Sequence, residues 1–79
     1  MTAKLTKDEL FLCTLAKTVK KDTSVVVSRY VIGQMIHQNN KSVDNTVQIL
    51  VKTHFIKREG DEDIYITAQG LSLVEMLGH

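Results

Sequence analysis

The sequence predicts an α+β fold in a single domain spanning residues 1–79: three helices, a two-stranded β-hairpin and a closing C-terminal helix. Three observations carry that expectation. Apolar residues recur at helical spacing in four separate stretches. Two β-rich runs flank a short acidic loop that contains Gly60. Hydroxyl residues suited to capping (Thr6, Ser28 and Thr67) stand where three of the helical stretches begin. A chain of 79 residues has room for one domain, which buries about 60% of the surface its unfolded form exposes. With 43% hydrophobic and 24% charged residues it falls in the globular class rather than the disordered one.

The first helix is expected from about Lys7 to Lys20. Thr6-Lys7-Asp8-Glu9 reads as a capping box, and Leu5 with Leu10 as a hydrophobic staple across the helix start. Leu12, Leu15, Ala16 and Val19 form the inward stripe, with Phe11 one position off it, and Lys17, Lys20 and Lys21 suit the negative end of the helix dipole. Val25-Val26-Val27 is a β-branched run expected to form an edge strand. Ser28 caps a second helix with Val31, Ile32, Met35 and Ile36 inward, and Asn39-Asn40 is the turn that ends it. The third helix is expected from about Ser42 to Thr53, with Val43, Val47, Leu50 and Val51 inward and Lys41, Asp44, Asn45, Gln48 and Lys52 outward. Phe55–Glu59 and Ile64–Thr67 read as strands around the loop at residues 60–63, and Thr67 caps a last helix from Ala68 to about Leu77, with Leu71, Val74 and Leu77 inward. The expected order is α-β-α-α-β-β-α.

Charge is distributed unevenly along this order. All ten Lys and Arg lie at or before Arg58, against Asp8, Glu9, Asp22 and Asp44, so that stretch carries +6; from Glu59 onward five acids and no Lys or Arg give −5. No apolar run reaches the roughly 20 residues of a membrane span, and Met1-Thr2-Ala3-Lys4-Leu5-Thr6-Lys7 lacks a signal-peptide core. The one cysteine, Cys13, precludes an intramolecular disulfide. A cytoplasmic location is the expectation.

The order and the local wording resemble the winged-helix superfamily, and small MarR- and PadR-like prokaryotic regulators within it. Ser42-Val43-Asp44-Asn45-Thr46-Val47-Gln48-Ile49-Leu50 looks like a recognition-helix phrase. Phe55-Ile56-Lys57-Arg58 is similar to the exit into the first strand of the wing, and Ile64-Tyr65-Ile66-Thr67-Ala68-Gln69-Gly70 to its close. The resemblance covers about Leu5 to Leu77 and implies a DNA-binding transcriptional regulator, acting as a homodimer through the C-terminal helix. The sequence departs from the pattern at His54, where Gly usually ends the helix, and at Glu59-Gly60-Asp61-Glu62-Asp63, an acidic tip that repels phosphate.

A helix-turn-helix places its second helix in the major groove. There Asn45 and Gln48 are the residue types that pair with an adenine edge, while Lys41, Ser42, Thr46 and Lys52 complete the face. Arg29, at the start of the second helix, joins Lys4, Lys7, Lys17, Lys20 and Lys21 as a candidate phosphate rim. The plain alternative is that these are solvated surface residues, with Lys57 and Arg58 neutralising the acidic tip from the facing strand. No phosphate loop, nucleophile elbow or metal-ligand spacing is present, so neither an enzyme nor a cofactor is expected. Double-stranded DNA is the expected partner. The rival reading is a protein–protein module or accessory factor that makes no DNA contact.

Overall fold

Seven elements follow from these patterns in the computed structural model, which describes residues 4–78; Met1, Thr2 and Ala3 of the N-terminal stretch lie outside it. They are α1 (Lys7–Thr18), β1 (Val27–Ser28), α2 (Arg29–Met35), α3 (Asn40–Lys52), β2 (Ile56–Glu59), β3 (Asp63–Ile66) and α4 (Ala68–Met76). The fold class is α+β with the expected order, and its topology is compatible with a winged helix. The sheet is antiparallel, in the order β1-β3-β2, with Val27 opposite Ile64 on one side of β3 and Ile56 opposite Ile66 on the other.

Each helix begins with a side-chain cap. At α1 the capping box is complete: Thr6 Oγ1 accepts from the Glu9 amide at 3.1 Å while Glu9 Oε1 accepts from the Thr6 amide at 2.9 Å. Ser28 and Thr67 cap α2 and α4 as expected. The cap of α3 is Asn39, whose Oδ1 accepts from the Ser42 amide at 2.8 Å. The helix therefore starts at Asn40, two residues before Ser42, and Asn39 opens α3 rather than closing α2.

The four helices also share one way of ending. In each, a residue at positive φ follows the last turn: Lys20 (54°), His37 (57°), His54 (67°) and Gly78 (82°). The two amides past the end of α3 show the pattern, His54 N donating to Val51 O and Phe55 N to Leu50 O, both at 3.0 Å. These are the paired bonds of a Schellman turn. Only the last uses glycine, so Lys20, His37 and His54 each carry the strain of a left-handed backbone. In α1 this turn stops the helix at Thr18 rather than Lys20.

The core draws on every helix and on both strands of the hairpin: Phe11, Leu12, Leu15, Ile32, Val43, Val47, Ile56, Ile64, Ile66 and Val74 are all buried. Phe11 lies fully inside. Leu10, expected in the staple, is 41% exposed, while Leu5 packs on the core. The inward face of α2 also differs from the expected one. Val31 and Met35 are 46% and 52% exposed, whereas Ile32 and Gly33 are buried. Gly33 dictates this orientation, because a Cβ there would stand 2.3 Å from Val43 Cγ2. Only glycine lets α2 approach α3 so closely. Of the β-branched run, Val25 and Val26 stay outside the sheet and are exposed. Among the described residues no helix is long and apolar enough to cross a membrane.

Candidate nucleic-acid interface

Helix α3 has a buried side and an open one. Val43, Thr46, Val47 and Leu50 face the core; Lys41, Asn45, Gln48, Ile49 and Lys52 are exposed. Successive helical residues turn by about 100°, which sets those five exposed residues within roughly 100° of arc, and Lys41 and Lys52 lie about 16 Å apart along the axis. Among the described residues no hydrogen bond or ion pair engages the side chains of Lys41, Asn45, Gln48 or Lys52. Ile49, 47% exposed between Asn45 and Lys52, belongs to the same surface. The apolar pattern had drawn attention to Leu50 and Val51 instead, although the angular position of Ile49 relative to Asn45 was available in the spacing alone.

The other polar residues expected at this face are committed internally. Thr46 is 1% exposed, and its Oγ1 accepts from Gln38 Nε2 at 2.9 Å. Ser42 Oγ accepts from the same amide nitrogen at 2.8 Å and is half-buried. These bonds fix the α2–α3 turn, which withdraws Thr46 from the outer surface.

Arg29 is turned inward as well, at 7% exposure. Its Nε donates to Glu62 O at 3.0 Å, its Nη2 to Asp61 O at 3.3 Å, and its Nη1 pairs with Asp44 Oδ1 at 3.5 Å. Tyr30 Oη donates to the same Asp44 oxygen at 2.8 Å, which holds the Tyr30 phenol above its ordinary pKa. The N-terminus of α2 already has an anion of its own. Ser28 Oγ donates to Glu62 Oε2 at 2.5 Å, and the Arg29 amide donates to Glu62 O at 3.2 Å. Arg29 therefore fastens the hairpin loop to α2 and α3 instead of presenting a charge to phosphate. The acidic tip is drawn up beside Asp44, on one flank of α3.

The hairpin does not neutralise its own acids across the strands. Lys57 pairs with Tyr65 and Arg58 with Ile64, while Glu59 stands opposite Asp63, like charge against like. Lys57 and Arg58 are exposed and unpaired among the described residues. The expected lysine rim divides in two. Lys4 and Lys7 sit at the start of α1, and Lys17, Lys20 and Lys21 at its far end, about 18 Å away for twelve residues. Cys13 is buried in the core, and that burial raises its thiol pKa, which keeps it protonated. Among the described residues no group of three His, Cys, Asp or Glu side chains comes together as a metal site.

No protein-family model, curated protein or solved structure matches the chain.

Proposed function

We propose that this chain is a winged-helix DNA-binding protein, akin to MarR- and PadR-like regulators, which reads the major groove with α3 and acts as a homodimeric transcriptional regulator. One observation carries the reading. The open arc of α3 holds two amide side chains, Asn45 and Gln48, between two lysines, and none of the four has an internal partner among the described residues. Amides of this kind hydrogen-bond base edges, and lysines at the ends of the helix meet the phosphates on either side. Asp44, the acid beside this arc, is partly neutralised by Arg29.

The test is a fluorescence titration of the protein onto a short labelled duplex across a salt series. Binding that weakens steeply with salt, with a log–log slope of several units, is expected from multiple phosphate contacts. Absence of binding at low salt contradicts the reading. For the dimer, α4 offers Met76, 83% exposed, near the half-buried Leu73. Light scattering at high micromolar concentration then gives twice the monomer mass, and a monomer mass contradicts it.

A second reading is favoured by the acidic tip. Glu59, Asp61, Glu62 and Asp63 are exposed, and Arg29 holds the loop beside α3, where a polyanion would approach. On this reading the chain is a protein–protein module, and its hairpin meets a basic partner. Changing Asp61 and Asp63 to Asn separates the two: duplex affinity rises if the loop only repels DNA, and partner binding falls if the loop is the docking surface.

A further inference from the structure

The proposed DNA reading leaves Ile49 unexplained, and the following inference rests on that reading. A β-branched apolar side chain stands 47% exposed on α3. Its neighbours on the open arc are Asn45, one turn before it, and Lys52, three residues after it. Core packing does not account for it, because the buried side of the helix is already supplied by Val43, Val47 and Leu50. The occupant of this surface is indicated by the charges that frame it. Lys41 and Lys52 lie about 16 Å apart along the axis, so a lysine stands at each end of the arc to meet phosphates that border the major groove. Between those phosphates, the apolar group that a base pair presents in the major groove is the 5-methyl of thymine. Beside it on the same pair lie adenine N6 and N7, which an amide such as Asn45 or Gln48 engages in bidentate fashion.

We propose that Ile49 is a specificity-determining residue that packs on a thymine methyl, so that α3 selects sites with an A·T pair at the position its midpoint faces. Asn45 or Gln48 takes the adenine edge, and Ile49 takes the methyl of the same or the adjacent pair. The surface thus distinguishes A·T from G·C through one polar and one apolar contact.

The experiment starts from duplexes selected by the full-length chain out of a randomised pool. In a selected duplex, thymines are replaced one at a time by deoxyuridine, which removes the methyl and keeps every hydrogen-bonding group. Affinities are then measured for the wild type and for Ile49→Ala. The wild type is expected to lose about four-fold affinity at one thymine, the equivalent of the ~0.8 kcal/mol of one buried carbon. Ile49→Ala is expected to bind the thymine and deoxyuridine forms equally while keeping the wild-type melting temperature, since the side chain lies outside the core. The inference is overturned if duplexes are selected but the wild type is indifferent to every replacement. It is equally overturned if Ile49→Ala discriminates as the wild type does, and in both cases the DNA reading survives. Failure to select any duplex removes the DNA reading and this inference together.

Discussion

Helix α3 carries polar side chains on two of its flanks, and they have opposite fates. On the flank toward the hairpin, Asp44 receives Arg29 and Tyr30, and Arg29 in turn holds two carbonyls of the loop at residues 60–62. On the open arc, Lys41, Asn45, Gln48 and Lys52 are engaged by nothing within the described residues. Composition alone treats the two groups alike. The structure separates them: polar groups satisfied internally hold the fold together, while polar groups left open on a rigid helix are available to a partner. Arg29 illustrates the cost of ignoring this distinction. By position it was expected to meet phosphate at a helix N-terminus, yet in the fold it is the clasp of the hairpin.

The contrast can be broken first through the frame both flanks share. Gly33→Ala places a Cβ 2.3 Å from Val43 Cγ2 and pushes α2 off α3. A loss of about 3 kcal/mol is expected in urea unfolding, together with any duplex binding that depends on the α2–α3 geometry. On the internal flank, Arg29→Ala removes the clasp. Its expected cost is about 2 kcal/mol, with hydrogen exchange accelerated at the hairpin loop and not in the middle of α3. An unchanged midpoint would mean the clasp does not hold the hairpin.

A smaller effect of opposite sign is expected where α3 ends. His54 at φ 67° carries a strain that glycine would not. Relief of about 1–2 kcal/mol is offset by up to about 1 kcal/mol of backbone entropy, so His54→Gly should raise stability by about 1 kcal/mol and leave the face of α3 in place. On the open arc, Asn45→Ala and Gln48→Ala are each expected to stay within about 0.5 kcal/mol of the wild type. Larger losses there would show that these amides serve the fold and would erase the contrast.

The Tyr30 phenol donates to Asp44, so its folded-state pKa is raised above the unfolded value. The bond's contribution is therefore fully present below the unfolded pKa and is lost as pH rises through the raised folded one. Asp44→Asn should bring the Tyr30 ionisation seen in ultraviolet titration down toward the ordinary tyrosine range. No downward movement would mean that Asp44 is not the cause.

Much of this fold was legible in the sequence because its signals are local. The Thr6 capping box, the Ser28 and Thr67 caps and the alternation in Ile64-Tyr65-Ile66 each lie within a few residues. The left-handed turn at His54 was anticipated only through the resemblance, which puts Gly at that helix exit. The orientation of α2 was not: a helix of seven residues offers two plausible apolar faces, and the close approach at Gly33 chooses between them. The start of α3 was ambiguous because Asn39 and Ser42 are both good caps three residues apart. The role of Arg29 was hidden by distance, since its carbonyl partners lie 32 and 33 residues further along the chain. On α3, the exposure of Asn45, Gln48, Lys41 and Lys52 followed from residue type and helical spacing. Thr46 was assigned outward because its bond to Gln38 depends on how α2 and α3 cross.

The most direct measurement is duplex affinity at low salt for the wild type and for the triple variant Asn45→Ala, Gln48→Ala, Lys52→Ala, with unfolding curves recorded on the same samples. The triple variant should unfold close to the wild-type midpoint and bind the duplex at least ten-fold more weakly, about 1.4 kcal/mol. Undiminished binding by a folded triple variant would contradict readout through the open arc of α3.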